Sequence, residues 1–223
     1  PLQAGLVNGE WMNGVSDIEE VPLDSTGLDE MELGRKLAGI STPSDQIPRI
    51  AIILDDGGYG GPVTARILAL DPNLTLAILP GTPFGARTAK RASELGFEVM
   101  LHMPMEGANM PGSLLTGMTE AEMRGRLDEA LAGIPEAVGV NNHMGSLFTS
   151  NANAINRFMN ILAGRGLYFI DSRTTSRSVA FDGALKHGIP AGSRDVFLDH
   201  QKEPNYIIGQ FNHLMEVAKE RGY

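Results

Sequence analysis

Two adjacent aspartates, Asp55 and Asp56, end a continuous apolar run and are followed by Gly57 and Gly58. The run at 50–54 is rich in β-branched residues, which predicts a buried strand. An ionised carboxylate is costly to bury without a partner, so the pair indicates chemistry, although an Asp-Gly turn is the structural alternative. Successive strand side chains point to opposite faces. We therefore expect different neighbours and roles for the two aspartates, one binding a metal and the other acting as a base.

Four further apolar segments also end in polar residues. His102 follows one, and Asn141, Asn142 and His143 follow the next; Asp171 and Ser172 follow the third, and Asp199 and His200 the fourth. In parallel α/β architectures the carboxyl ends of the strands converge on the face that holds the active site. Five polar strand ends in series therefore predict one shared site.

An aspartate and two histidines from separate strand ends make a plausible nitrogen and oxygen site for a divalent metal. Zinc accepts both ligand types, and a catalytic zinc keeps a position open for water. His102 and His143 are the best imidazole ligands because both closely follow apolar strands. Glu106 could reach the same site from four residues further on, and Asp199 is a second acid, base or orienting carboxylate. His187 is expected to cap a helix C-terminus, and His213 to be a structural residue within a helix. As a functional candidate, His200 ranks between these two histidines and the two proposed ligands.

Composition excludes several functional classes. The 223 residues carry a net charge of −9 with no basic run, which argues against nucleic-acid binding. Cysteine is absent, which excludes thiolate sites. No Gly-x-Ser-x-Gly elbow occurs, and the spacing within 57–61 fails the dinucleotide fingerprint. No apolar stretch reaches 18 residues, so a membrane anchor would have to lie outside this chain.

The elements that must position the site alternate between strands and helices from residue 50 onward. Residues 1–46 are predicted to be a poorly ordered or peripheral lead-in with a short helix at 28–37, and 47–223 the main domain. Strands are predicted near 50–54, 74–79, 97–101, 137–141, 167–171 and 195–199, and helices near 61–70, 83–95, 119–132, 151–164 and 204–221. The helix at 119–132 begins with a capping box. This alternation predicts an α/β fold with a mainly parallel sheet, open or closed into a barrel.

The chain ends in Glu-Arg-Gly-Tyr at 220–223, which is similar to Glu-Leu-Gly-Phe at 94–97 and Arg-Gly-Leu-Tyr at 165–168, two strings that lead from a predicted helix into a predicted strand. We therefore expect at least one further strand beyond Tyr223.

Several strings resemble the divergent polysaccharide deacetylases, remote relatives of the carbohydrate esterase family 4 deacetylases. The similar strings are Leu-Asp-Asp-Gly-Gly at 54–58, Leu-His-Met-Pro-Met-Glu at 101–106, Val-Asn-Asn-His-Met-Gly-Ser at 140–146, Asp-Ser-Arg-Thr at 171–174 and Arg-Asp-Val-Phe-Leu-Asp at 194–199. The resemblance covers about 48–223. It implies a distorted (β/α) barrel of about seven strands, a carbohydrate substrate and an exported, periplasmic or other bacterial envelope location.

The resemblance also implies roles for residues. Asp55 matches the base and Asp56 the metal ligand of the esterase family, and His102 matches the first of two histidines spaced four apart. The second of these positions is Glu106, so His143 is expected to replace the missing imidazole.

The implied function is a zinc-dependent deacetylase of N-acetylated envelope sugars. Asp56, His102 and His143 are expected to hold the ion, with Asp55 as base and Asp199 or His200 as its orienting group or as acid. The sugar contacts are expected from Glu106, Asn141, Asn142, Asp171 and Ser172.

Two other functions remain open. Glu106 motivates a non-catalytic envelope protein that keeps the barrel and binds glycan or a protein partner. The low aromatic content of 6% leaves little sugar-stacking surface, which keeps an amidase or esterase of non-sugar substrates open as well.

Overall fold

A computed structural model describes residues 2–5 and 48–221 of the chain. The strands are β1 (Leu2–Gly5), β2 (Ala51–Gly57), β3 (Thr75–Ile78), β4 (Glu98–Met105), β5 (Gly139–Met144), β6 (Tyr168–Asp171), β7 (Ala191–Ser193) and β8 (Val196–Phe197). The helices are α1 (Gly61–Ile67), α2 (Gly85–Glu94), α3 (Glu120–Gly133), α4 (Ser146–Thr149), α5 (Ala152–Leu162), α6 (Ala180–Lys186) and α7 (Pro204–Arg221). The predicted helix at 28–37 lies outside the described residues.

One curled sheet organises the molecule, in the order β7-β6-β5-β4-β3-β2-β1-β8. Strands β2 to β7 are parallel, whereas β1 pairs antiparallel with both β2 and β8. The two end strands, β7 and β8, are joined by only two residues. Their facing ends therefore lie within about 11 Å of each other, so the sheet must curl round on itself. The predicted α/β fold with a barrel-like parallel sheet is confirmed.

The pleat of the strands separates two apolar clusters. The helix-facing side of the sheet contributes Leu76, Ile78, Val99, Leu101 and Phe169 to the main core. The concave side carries a small cluster of Ile53, Ala77, Met100 and Ile170. Both faces are buried, so these strands read as continuous apolar runs. Because side chains alternate, Asp55 and His102 lie on the concave side, two residues beyond Ile53 and Met100.

Local signals explain where two of the helices begin. Thr119 accepts a hydrogen bond from the Glu122 backbone, and the Glu122 carboxylate accepts one from the Thr119 backbone, so the predicted capping box of α3 is confirmed. The Asn151 side chain caps α5 by accepting from the Ala154 N–H at 3.0 Å. On α5 the apolar stripe is buried and the asparagines at 153, 156 and 160 are exposed.

Several boundaries differ from the prediction. Strands β4 and β5 continue beyond 101 and 141, because their parallel pairing extends to Met105 and Met144. His102 and His143 therefore lie within strands and not after them. Helix α1 ends at Ile67, short of the predicted 70, and β8 covers only two of the five residues predicted. Strands β1 and β7 and helices α4 and α6 were not predicted. Within the described ranges, no helix has the length and hydropathy needed to cross a bilayer.

Candidate metal and catalytic site

The pairing of β4 with β5 brings two imidazoles together. In the parallel register His102 lies beside Asn141, and Pro104 lies beside His143. Asn141 and His143 are two residues apart and share the concave face with His102. The rings of His102 and His143 lie edge to face with centroids 4.8 Å apart. Register alone therefore predicts the meeting of the two histidines once the strands are aligned.

A buried chain of hydrogen bonds links Asp55 to His102 through Asn141. The Asn141 Nδ2 donates to Asp55 Oδ1 at 2.9 Å, and Asn141 Oδ1 lies 2.7 Å from His102 Nδ1. An ionised carboxylate only accepts, so the amide nitrogen must face Asp55 and the amide oxygen must face the imidazole. His102 Nδ1 consequently donates its proton to Asn141. The lone pair of the neutral ring is then on Nε2, which faces Asp56 and His143.

Asp56 reaches the same histidine from the opposite side. Its backbone is left-handed, with φ of 58°, and the β2–β3 register shifts between Leu54 and Gly57. Such an irregularity re-aims a side chain at the end of a strand. Asp56 Oδ1 lies 3.3 Å from His102 Nε2, while Asp55 Oδ1 lies 3.8 Å from His102 Nδ1. The two aspartates therefore share His102, because the irregular backbone at Asp56 overrides the strand alternation. Their other partners differ, as expected: Asn141 for Asp55 and His143 for Asp56.

Three possible ligand atoms converge at this point. Besides the 3.3 Å between Asp56 Oδ1 and His102 Nε2, His143 Nδ1 lies 3.1 Å from each of these atoms. Ligand atoms bound to zinc at 2.0–2.1 Å in a tetrahedron lie about 3.3 Å from one another, so the spacing fits such an ion. Asp56, His102 and His143 are the group of potential metal ligands found among the described residues. This set leaves a fourth position for a water or a substrate.

Electrostatics distinguish the two carboxylates. Burial raises the pKa of Asp55 above its usual value, although His102 and Asn141 partly oppose the shift. Burial also raises the pKa of Asp56, but hydrogen bonds with His102 and His143 outweigh it and hold this pKa well below its ordinary range. For His102, burial lowers the pKa, whereas the nearby Asp55 charge and the Asp56 contact raise it above the usual value. Asp56 is therefore the carboxylate that stays ionised, whereas Asp55 takes up a proton more readily than an exposed aspartate does.

Asp55 has one oxygen directed away from this network. Its Oδ2 is buried and has no hydrogen-bond partner among the described residues. A buried acceptor without a partner is uncommon in proteins and needs an explanation such as a catalytic role or a bound water. Oδ2 is therefore the Asp55 oxygen that no described protein group engages.

The carboxylates of Glu106 and Asp171 are engaged with the backbone. Glu106 accepts from the Thr116 N–H at 2.9 Å, and the group of potential metal ligands does not include it. Asp171 is fully buried and accepts from Ser178 Oγ at 2.6 Å and from two backbone N–H groups. The structure thus places both at loop-supporting positions, and their predicted sugar contacts stay predictions.

Asn142 and Ser172 lie together beside the site. Asn142 accepts from the Ser172 N–H at 2.8 Å and donates to the Met144 carbonyl at 2.8 Å. Both residues are fully buried, and the Ser172 hydroxyl has no partner among the described residues. Asn142 therefore ties β5 to the segment after β6, whereas Asn141 is part of the hydrogen-bond chain to His102.

Asp199 and His200 follow β8, which runs parallel to β2 because both are antiparallel to β1. They therefore leave the sheet at the same edge as Asp55 and Asp56, with β1 between. His200 is exposed, and its ring centroid lies 6.2 Å from that of Phe197. The group of potential metal ligands includes neither residue. Their assignment as acid or orienting group stays a prediction.

The remaining histidines lie where the sequence predicted. His187 caps α6, with Nδ1 2.8 Å from the Gly183 carbonyl, and His213 is exposed within α7.

Arg194 is a residue of this region that the sequence reasoning did not assign. Its guanidinium donates to the carbonyls of Ser172 and Arg173 at 2.7 and 2.8 Å and lies over the Phe197 ring. Burial lowers the pKa of Arg194, while the charges of Asp55 and Asp171 act in the opposite direction. The only sequence signal for a role of Arg194 was its place in the Arg-Asp-Val-Phe-Leu-Asp string. No local pattern predicts that its charge lies near Asp55.

Comparisons with known proteins find similar sequences and a similar fold. Residues 52–223 match the sequence profile of the divergent polysaccharide deacetylase family. The chain is 32% identical over 178 residues to an uncharacterized protein of Haemophilus influenzae and 33% identical over 178 residues to the uncharacterized protein YibQ of Escherichia coli. These alignments cover 78% of the chain and 64% and 56% of the two relatives, so the chain spans less than two thirds of their length.

A solved structure shares the fold. The crystal structure of the uncharacterized protein ATU2773 of Agrobacterium tumefaciens superposes with a TM-score of 0.71 at 25% identity. The match covers 76% of this chain and 72% of that one.

Proposed function

The chain belongs to the divergent polysaccharide deacetylase family, and from this premise we propose that it is a metal-dependent hydrolase that removes acetyl groups from N-acetylated sugars of an envelope polysaccharide. The observation that carries the proposal is the convergence of Asp56, His102 and His143, with Asp55 linked to the same histidine through Asn141. The three ligand atoms fit a divalent ion, and a carboxylate with two imidazoles favours zinc.

Asp56, His102 and His143 would hold the ion. When bound, such an ion acts as a Lewis acid that lowers the pKa of water and polarises a carbonyl oxygen. Asn141 keeps the proton of His102 on Nδ1, so Nε2 is presented as a ligand without rotation of the ring. The low pKa of Asp56 keeps its carboxylate ionised at any pH at which the histidines are neutral.

Asp55 is the proposed general base. Its Oδ1 is fixed by Asn141, and its Oδ2 is left to accept the proton of an attacking water. Its raised pKa makes it a better proton acceptor than a solvent-exposed aspartate. The same carboxyl, once protonated, could return the proton to the leaving amine of the sugar. Asp199 and His200 are alternative groups for that second transfer, since both leave the sheet at this edge.

Metal content tests the first half of the proposal. We expect about one zinc per chain in the wild-type protein and its loss in both His102→Ala and His143→Ala. Two controls are matched to these variants. His213→Ala removes an exposed imidazole, and Glu106→Gln changes the residue at the position of the second esterase-family histidine, which is not among the three potential ligands. Both controls should retain the metal. A wild type that holds no metal after reconstitution would favour the non-catalytic glycan- or protein-binding alternative.

Acetate release tests the second half. The zinc-loaded protein is incubated with an N-acetylated oligosaccharide, and free acetate is measured. Asp55→Asn keeps the size of the side chain but removes the base, so the rate should fall by about 10²- to 10⁴-fold while zinc is retained. Full activity of Asp55→Asn would refute the assignment of the base. Acetate release from small non-sugar amides or esters, but not from oligosaccharides, would instead favour the amidase or esterase alternative.

A further inference from the structure

A groove next to the site lies between α1 and α2. It encloses about 410 Å³ and is lined by Gly60, Thr64, Phe84, Arg87, Lys90 and Arg91, among others. This volume is in the range of pockets that hold small molecules. Asp55, Asp56 and His102 do not line it. The groove is therefore a separate cavity that the proposed chemistry does not use.

The charge of the groove is opposite to that of the chain. Three cations and a single carboxylate, Glu94, line it, although the whole protein carries a net charge of −9. Arg91 is paired with Glu94 at 3.1 Å. Within residues 48–221 neither Arg87 nor Lys90 forms an ion pair with a carboxylate. Two positive charges thus line the groove without a carboxylate partner in the described part of the chain.

Arg87 is held in a defined position. Its guanidinium carbon lies 4.8 Å from the centroid of the Phe84 ring. A guanidinium stacked on an aromatic face keeps the N–H groups at its edge available for an anion. The backbone of Phe84 is anchored, because its N–H donates to the Gly58 carbonyl at 2.9 Å. Gly58, with φ of 121°, follows directly after β2, two residues beyond Asp56.

The groove is close enough to the metal ligands for one polymer to contact both. Gly60 follows Asp56 by four residues, so the two lie within about 14 Å of each other. Tyr59 lies between them in the chain and is 59% exposed. An exposed tyrosine ring offers a surface on which a sugar can stack. The loop after β2 thus connects the ligand site to the cationic groove through an aromatic side chain.

We propose that this groove binds a negatively charged group of the glycan, so that the substrate is an acidic polysaccharide carrying carboxylate or phosphate groups a few sugars from the reacting acetamide. The proposal rests on the proposed function for the identity of the reacting group, but the anion site itself is defined by the two cations. Arg87 and Lys90 contact the anion, and Tyr59 contacts the intervening sugar. Neutral N-acetylated glycans would fill the metal site without using the groove.

Binding measurements on metal-free and zinc-loaded protein test the proposal. The probes are a hyaluronan oligosaccharide, which alternates N-acetylated and carboxylated sugars, and a neutral chitin oligosaccharide of the same length. The wild type is expected to bind the acidic probe about tenfold more tightly at low salt, with the preference decreasing as salt is added. The double variant Arg87→Gln/Lys90→Gln should lose this preference and bind the neutral probe as the wild type does.

The control is Arg126→Gln/Lys186→Gln, which removes the same charge from exposed positions on α3 and α6 outside the groove. It should keep the wild-type preference. Equal affinity of the wild type for both probes, or an equal loss of preference in the control, would overturn the proposal. Phosphate and acetate added at equal ionic strength identify the anion by which of them displaces the acidic probe. Displacement by neither would also count against a built anion site.

The two proposals fail in different ways. Absence of acetate release with the preference for the acidic probe intact would refute the hydrolase but retain the anion site. Equal acetate release from both probes, with equal binding, would retain the hydrolase and refute the anion site.

Discussion

Replacing Asn141 tests whether the hydrogen-bond chain in the site positions the metal ligand. Asn141→Ala removes the donor to Asp55 Oδ1 and the acceptor for His102 Nδ1 in one step. All three residues are buried, so water cannot easily replace either bond. A buried polar group left without its partner costs about 1–3 kcal/mol. With two such groups, the metal-free protein should lose about 2–6 kcal/mol of unfolding free energy.

The loss of stability alone would not show a role in metal binding, so the decisive quantity is zinc affinity. Without Asn141, His102 is free to carry its proton on Nε2 or to rotate. Loss of such a supporting hydrogen bond to a ligating histidine typically lowers metal affinity by about 10–100-fold. Affinity would be measured by competition with a chromophoric chelator, and stability by urea unfolding in the presence of a chelator.

Asn142→Ala is the matched control. Asn142 is the next residue on β5, is equally buried and also makes two hydrogen bonds, but to the Ser172 N–H and the Met144 carbonyl. We expect a similar loss of stability and a smaller loss of zinc affinity. Asn141→Asp keeps an acceptor for His102 and should bind zinc more tightly than Asn141→Ala. Equal zinc affinity in the two alanine variants would refute the positioning role of Asn141.

Two further predictions concern stability against pH. Tyr168 donates to the Glu98 carboxylate at 2.6 Å, and burial together with this contact raises the pKa of Tyr168. Stability should therefore fall as the pH rises above about 10, where this tyrosine ionises in the unfolded chain. Tyr168→Phe should lose about 0.5–1.5 kcal/mol at neutral pH and show less of this alkaline fall in urea unfolding, whereas an unchanged fall would contradict the argument. The capping bonds with Thr119 lower the pKa of Glu122, so its contribution is present above the unfolded pKa and lost as the pH falls through the folded one. Glu122→Gln should therefore flatten the acid limb of the stability curve, and an unchanged limb in thermal unfolding would exclude the cap as its source.

The sequence was a good guide to elements whose patterns are local. The buried runs predicted strands because both faces of the sheet are covered, and the capping box predicted the start of α3 within one residue. Polar residues at the ends of parallel strands predicted a shared edge, and the set of Asp56, His102 and His143 is the group of potential metal ligands that the structure brings together. These inferences need only periodicity and the direction of the chain.

Non-local features could not be inferred in the same way. Strand β1 pairs with β2 from 46 residues or more away in the chain, and no local pattern marks its partner. The pairing of β4 with β5 extends four residues beyond the predicted end of β4 and three beyond that of β5, because the register is set by both strands together. The contact of Arg194 with the carbonyls after β6 likewise depends on the parallel pairing of β6 with β7, which aligns Asp171 with Ser193.

Two pairs of identical neighbours show why residue type and spacing do not determine a role. Asn141 and Asn142 follow the regular pleat of β5, so one faces the concave side with His102 and the other faces the segment after β6. Asp55 and Asp56 would separate in the same way, but the left-handed backbone of Asp56 brings both carboxylates to one imidazole. The two carboxylates then contact opposite nitrogens of the ring. One backbone irregularity therefore makes the proposed metal ligand Asp56 and the proposed base Asp55 neighbours of the same histidine, whereas a regular strand would place the two carboxylates on opposite faces.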